Sequence, residues 1–119
     1  MARSPFTPVT SSASGSVQSA PAAVDAANGN EFANAGRTII EITNSSASSI
    51  TATFVTNGTY SVGAATYAIA DLAVAVAASA TKVCGPFDTT LFNSATNTVE
   101  VNWTSGTSIT ARCTTMGTS

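Results

Sequence analysis

Few residues in this sequence can do chemistry. The carboxylates are Asp25, Glu31, Glu41, Asp71, Asp88 and Glu100; the cations are Arg3, Arg37, Lys82 and Arg112; the thiols are Cys84 and Cys113; there is no histidine. Without an imidazole, neither a Ser-His-Asp nor a Cys-His arrangement can be assembled. Two carboxylates facing each other across a cleft could serve as the acid and base of a glycoside hydrolase. Nothing in their spacing argues for such a pair, and solvated or turn-capping carboxylates account for them better. No phosphate-cradling loop, dinucleotide fingerprint or calcium loop is present. The cysteines have neither a CxxC spacing nor a histidine to complete a zinc site. The sequence therefore predicts a non-enzymatic chain without cofactor or metal.

Cys84 and Cys113 are open to two readings. A disulfide between them would close a long loop. Two buried free thiols would act as small apolar side chains, and synthesis in a reducing compartment favours this second reading. The densest charge lies in Asn28 to Asn44 (NGNEFANAGRTIIEITN), which holds Glu31, Arg37 and Glu41. An ion-pair cluster at an interface is one interpretation, and exposed pairs of little energetic weight are the other. Glycosylation sequons at Asn44, Asn57 and Asn102 carry no weight without a secretory signal. Trp103 and Tyr60 could stack on a sugar ring, although a tryptophan on an alternating strand is more often core.

The composition behind these groups is unusual. Charged residues make up 8% of the chain, against about a quarter in an ordinary domain. Hydrophobic residues make up 44%, which argues against disorder, and 119 residues suffice for one domain with a tail. Ser, Thr and Ala fill the gap left by charge. Such a neutral, hydroxyl-rich surface suits a protein bedded against other proteins or repeated in an array, not one kept dispersed by charge. The four scattered cations exclude nucleic acid as the main partner. The start, MARSPFTPVTSSASG, has no apolar signal region. The Ala-rich run Ala64 to Ala80 is broken by Asp71 and too weak to span a membrane. Synthesis in the cytoplasm, with no membrane partner, is the expectation.

The predicted organisation is all-β: an antiparallel β-sandwich or small barrel of six to eight short strands with an extended N-terminal arm. Residues 1–27 are the low-complexity arm, with Pro5, Pro8 and Pro21 and a possible helical turn over Ala20 to Ala27. Residues 28–119 are the sandwich domain. Asn28 to Gly36 is the loop entering it. Thr38 to Thr43 and Ser48 to Thr56 alternate with period two and read as one hairpin; Asn57-Gly58 follows as a hairpin-type turn signal. Short strands are expected around Tyr67 and Ile69, at Leu72 to Val76, where a helix is the rival because of the alanines, and at Thr81 to Cys84. Asp88 caps a helical turn that ends by Asn93, with Leu91 and Phe92 plugging the core. Thr98 to Trp103 and Ser108 to Cys113 read as a second hairpin. Edges this poor in charge need covering by docking or oligomerisation.

Gly29 to Thr56 (GNEFANAGRTIIEITNSSASSITATFVT) resembles a family of small head decoration (cement) proteins of tailed bacteriophages. The matching opening is Gly29, Asn30, Phe32, Asn34, Gly36, Arg37 and Thr38, followed by an apolar strand, an Asn-centred loop and a Thr-rich strand. Gly85-Pro86-Phe87 with Phe92-Asn93, and Val99 to Ala111 with Thr107-Ser108-Ile109-Thr110, look like later family elements. The likeness runs in order from Gly29 to Cys113; the arm and the cysteines fall outside it. The resemblance implies a virion protein on the outer capsid surface that binds the major capsid protein and itself, by analogy as a trimer, with no active site. On this reading, contacts to capsid or neighbouring subunits are expected at Phe6, Pro8 and Val9 on the arm and at Glu31, Phe32 and Arg37 at its joint. Other virion modules (neck, tail or head fibre) and a carbohydrate-binding sandwich are the alternatives.

Overall fold

The computed structural model describes residues 3–18 and 20–117. In chain order its elements are β1 (Ser4–Phe6), β2 (Val9–Thr10), β3 (Ala22–Ala23), β4 (Asn30–Ala33), β5 (Thr38–Asn44), β6 (Ile50–Phe54), β7 (Thr59–Val62), β8 (Ala65–Ala68), β9 (Leu72–Val76), β10 (Thr81–Cys84), α1 (Thr89–Phe92), β11 (Thr98–Trp103) and β12 (Ile109–Thr115). They form a β-sandwich. One sheet has the order β1-β4-β11-β6-β9. The other has the order β10-β5-β12-β2, with β3 also paired to β12; β7 and β8 form a separate two-stranded ribbon. The strand count exceeds the expected six to eight because the arm and the joint contribute strands of their own.

Period two explains the core. On β5, β6, β11 and β12 every second side chain is buried: Thr38, Ile40, Ile42 and Asn44; Ile50, Ala52 and Phe54; Val99, Val101 and Trp103; Ile109, Ala111 and Cys113. β-branched residues on these pleated rows pack between the layers while Thr, Ser and Glu face out. Phe87 sits at the centre of an aromatic knot, with ring centroids 4.8 Å from Phe54, 5.3 Å from Phe92 and 5.7 Å from Phe32. The helical turn forms as expected: the Asp88 carboxylate accepts from the backbone N–H groups of Thr90 and Leu91, and Phe92 packs against the core. Leu72–Val76 is a strand, since its alternation matches the pleat and leaves no 3.6-residue face for a helix.

Both expected hairpins are corrected. β5 lies in one sheet and β6 in the other, and β11 and β12 are likewise in different sheets. Each pair is an arch that crosses the core and faces its partner through side chains rather than backbone bonds. Alternation defines an inward face but is equally satisfied by a neighbour in the same sheet or in the opposite one. The first arch is set by Asn44, fully buried, whose amide donates to the Ser48 and Val76 carbonyls and whose oxygen accepts from the Ser46 N–H and hydroxyl. Asn57-Gly58 is not a hairpin turn either. Its N–H groups donate to the Leu91 carbonyl at 2.8 and 2.9 Å, and a Cβ on Gly58 would lie 2.5 Å from the Thr90 oxygen. Glycine is used here to let α1 approach.

The arm is extended, but it does not stand apart from the sandwich. β1 pairs parallel with β4, β2 pairs parallel with β12, and β3 pairs antiparallel with β12. Phe6 and Val24 belong to the buried core. Ala22–Ala23 is strand, which overturns the helical turn expected at Ala20 to Ala27. The joint, expected to be loop, contains β4, with Asn30 and Phe32 both 1% exposed. Low-complexity Ser/Ala/Pro sequence gives no period by which such short edge strands can be read.

Candidate functional site

The expected cluster of Glu31, Arg37 and Glu41 does not form. Glu31 lies on the outer face of one sheet and Glu41 on the outer face of the other, because each alternates with buried neighbours in strands of opposite layers. Glu41 accepts from the Arg112 Nε at 2.9 Å, and Arg37, exposed, donates to the Gly117 carbonyl at 2.8 Å. Glu31 stands directly opposite Glu100, the one place among the described residues where two carboxylates meet in register. Glu100 is engaged by Arg3 at 3.5 Å and accepts from the Asn57 amide. That pair lies on an open sheet face. Two surface hollows, of about 240 and 310 Å³, have no carboxylate in their lining. Among the described residues no group of three or more Cys, Asp or Glu gathers to hold a metal ion.

The remaining candidate residues are accounted for locally. Phe6 is 7% exposed and Phe32 1% exposed, so both pack in their own domain rather than against a neighbour; Pro8 and Val9 are half-buried. Trp103 is also core, and its indole Nε1 donates to the Asn30 Oδ1 at 2.8 Å. It offers no face for stacking on a sugar; the Tyr60 side chain lies outside the described residues. Asn30 is a node the sequence did not reveal. Its oxygen also accepts from the Asp25 N–H, and its amide donates to the Ser4 carbonyl. Asp25 in turn accepts from the Ser4 hydroxyl at 2.7 Å and from Asn28. These bonds, with Ser4 first, hold the Asp25 carboxyl below the usual aspartate range. The arm is thus clasped to the core through polar groups as well as through Phe6.

Cys84 and Cys113 are free thiols. Each stands opposite Ile40, one on either side of β5. Two strand spacings put their backbones about 10 Å apart, beyond the ~7 Å that a disulfide can bridge. Burial pushes both thiols up, Cys113 to about 12.

What the structure exposes instead is one flank of the sandwich. There β9 ends one sheet and β10 ends the other. Thr104 N donates to the Thr51 oxygen and Val55 N to the Glu100 oxygen, so the odd-numbered residues of β6 aim their backbone at β11 and the even-numbered ones at β9. Leu72, Val74 and Val76 stand opposite the even-numbered residues. The N–H and C=O groups of Ala73 and Ala75 are left pointing away from the sheet, and they find no partner among the described residues. β9 has no charge and no proline in its length. The nearest charge, Asp71, is turned back onto the Thr56 N–H and hydroxyl. Leu72 is 44% exposed, and the ribbon that precedes it shows Val62 at 63% and Tyr67 at 46%. Thr56 donates its hydroxyl to the Ile69 carbonyl and so ties the ribbon's root to the sandwich.

The neighbouring edge differs. Lys82 on β10 stands opposite Ile42, so its side chain belongs to the inward row of an edge strand, a placement that blocks further pairing. The sequence signal for this contrast was present: the ten residues between Asp71 and Lys82 hold no charge, proline or glycine. It identified a hydrophobic strand but not an edge. No family model, curated protein or solved structure matches the chain.

Proposed function

We propose that this protein is a structural component of a virion: a capsid decoration (cement) protein that binds the outer surface of the major capsid protein lattice, and itself, and stabilises the head without catalysis. The observation that carries the reading is the open flank, where an uncharged edge strand with outward backbone groups adjoins a projecting apolar ribbon. A bare edge of this kind is a template for strand addition and an aggregation hazard when left uncovered. It suits a protein whose working state is an array. The Ser/Thr/Ala surface and the resemblance of Gly29 to Cys113 to phage head decoration proteins support the same conclusion.

Many copies, each adding modest buried surface across joints between capsid subunits, would act together through multivalency. The test is copy number in purified particles produced from the genome that encodes the chain, by quantitative mass spectrometry and electron cryomicroscopy. Hundreds of copies on the outer shell are expected. A handful at one vertex would assign the chain to a neck, tail or fibre module, and absence from the particle would overturn the virion reading altogether.

A further inference from the structure

We propose that β9 is a self-pairing edge, through which two copies of this chain join antiparallel about a two-fold axis at Val74. In that register Ala73 of one copy lies opposite Ala75 of the other, and each such pair exchanges N–H···O=C bonds. The outward backbone groups of β9 are all consumed. The strand overlaps itself over its whole five-residue length, and registers shifted by two residues lose part of that overlap.

The side chains are their own complement. On the outer face alanine meets alanine. On the inner row Leu72 meets Val76 of the second copy and Val74 meets Val74, so the half-exposed Leu72 gains an apolar neighbour. Asp71 faces Ala77 of the second copy, and no like charges are brought together. The axis also brings the ribbon's root toward the second copy's turn at Ala77 to Ala80, which is uncharged. Lys82 confines the junction to one sheet by keeping β10 out of it. A pattern that pairs with itself without a clash favours a second copy over an unrelated strand as the occupant. The inference stands independently of the virion reading, since it concerns the isolated chain.

Sedimentation velocity on the full chain across micromolar concentrations tests it, together with two sets of variants. Ala75→Pro removes one outward donor and spares the ladder to β6; it is expected to be monomeric with an unchanged far-UV spectrum, whereas the unsubstituted chain is dimeric. Val74→Cys in a Cys84→Ser background places two thiols across the axis, with Cβ atoms about 5 Å apart, near disulfide geometry. Mild oxidation is expected to cross-link that variant into a dimer and to leave Val83→Cys in the same background uncross-linked. A monomeric or trimeric unsubstituted chain would overturn the proposal, as would a folded Ala75→Pro that stays dimeric, or a Val74→Cys that cross-links no faster than Val83→Cys. Should Ala75→Pro fail to fold, the cysteine pair decides alone.

Discussion

The two flanks of this sandwich end in opposite ways. On one, the chain's own N-terminus covers both sheets: β1 adds to β4, while β2 and β3 together line the edge of β12. Proline sits in β1 and immediately before β2 and β3, and the segment is fastened by Phe6, Asn30 and Asp25. On the other flank no described residue covers the outer edge of β9. The same problem, unpaired backbone at a sheet edge, is solved within the chain on one side and left open to a neighbour on the other. An arm that is already committed to its own domain is not free to reach across a lattice. On the function proposed above, the open flank takes over the role that the sequence suggested for the arm.

The comparison can be broken experimentally, most severely by deleting residues 1–27. Deletion removes three strands and two core side chains. A stability loss of about 5 kcal/mol or more, enough to abolish a cooperative thermal transition in a marginally stable domain, is expected by calorimetry. A deletion that melted like the full chain would show that the arm is an accessory. Next in size, Phe6→Ala is expected to cost about 3 kcal/mol in urea unfolding. Leu72→Ala at the open flank, measured on dilute protein, should cost less than about 1 kcal/mol, because nearly half of that side chain already faces water. Equal losses would erase the distinction between the flanks.

A pH series sharpens it further. The folded-state pKa of Asp25 is depressed, chiefly by the Ser4 hydroxyl and then by Asn28. Its contribution is therefore fully present above the unfolded aspartate value and is lost as pH falls through the lower, folded value. The stability advantage of the unsubstituted chain over Asp25→Asn is expected at neutral pH and should vanish on the acid side. An advantage that persisted there would mean the clasp does not act through the carboxylate. The smallest effect on stability is expected for Lys82→Leu, within about 0.5 kcal/mol. Its effect on association should be large in kind: with the inward charge gone, β10 becomes a second open edge, and sedimentation should show species beyond the dimer. No change in association would remove Lys82 as a guard.

Much of the fold was legible in the residues, and much of the site was not. The Asp88 cap and the buried rows of Ile40 and Ile42, Val99 and Val101, and Ile109 and Ala111 follow from local rules. So does the identity of Leu72–Val76 as strand. The candidate residues fared differently: Glu31 and Glu41 are close in sequence yet lie on outer faces of opposite sheets, Arg37 turns to the Gly117 carbonyl, and Phe6 and Phe32 are core. Asn30 stood in the stretch that carries the resemblance, but nothing local signalled its role as a node, which depends on Trp103, Ser4 and Asp25 arriving from elsewhere in the chain.

The sequence by itself determined which residues alternate, which faces turn inward and where the helical turn begins, since those depend on neighbouring residues and a period of two. Only the tertiary structure decided that the two arches join different sheets, that Cys84 and Cys113 stand on either side of Ile40, that the arm closes one flank, and that β9 is an edge. Pairing brings together residues far apart in the chain, and a strand's alternation is the same whether it has two neighbours or one.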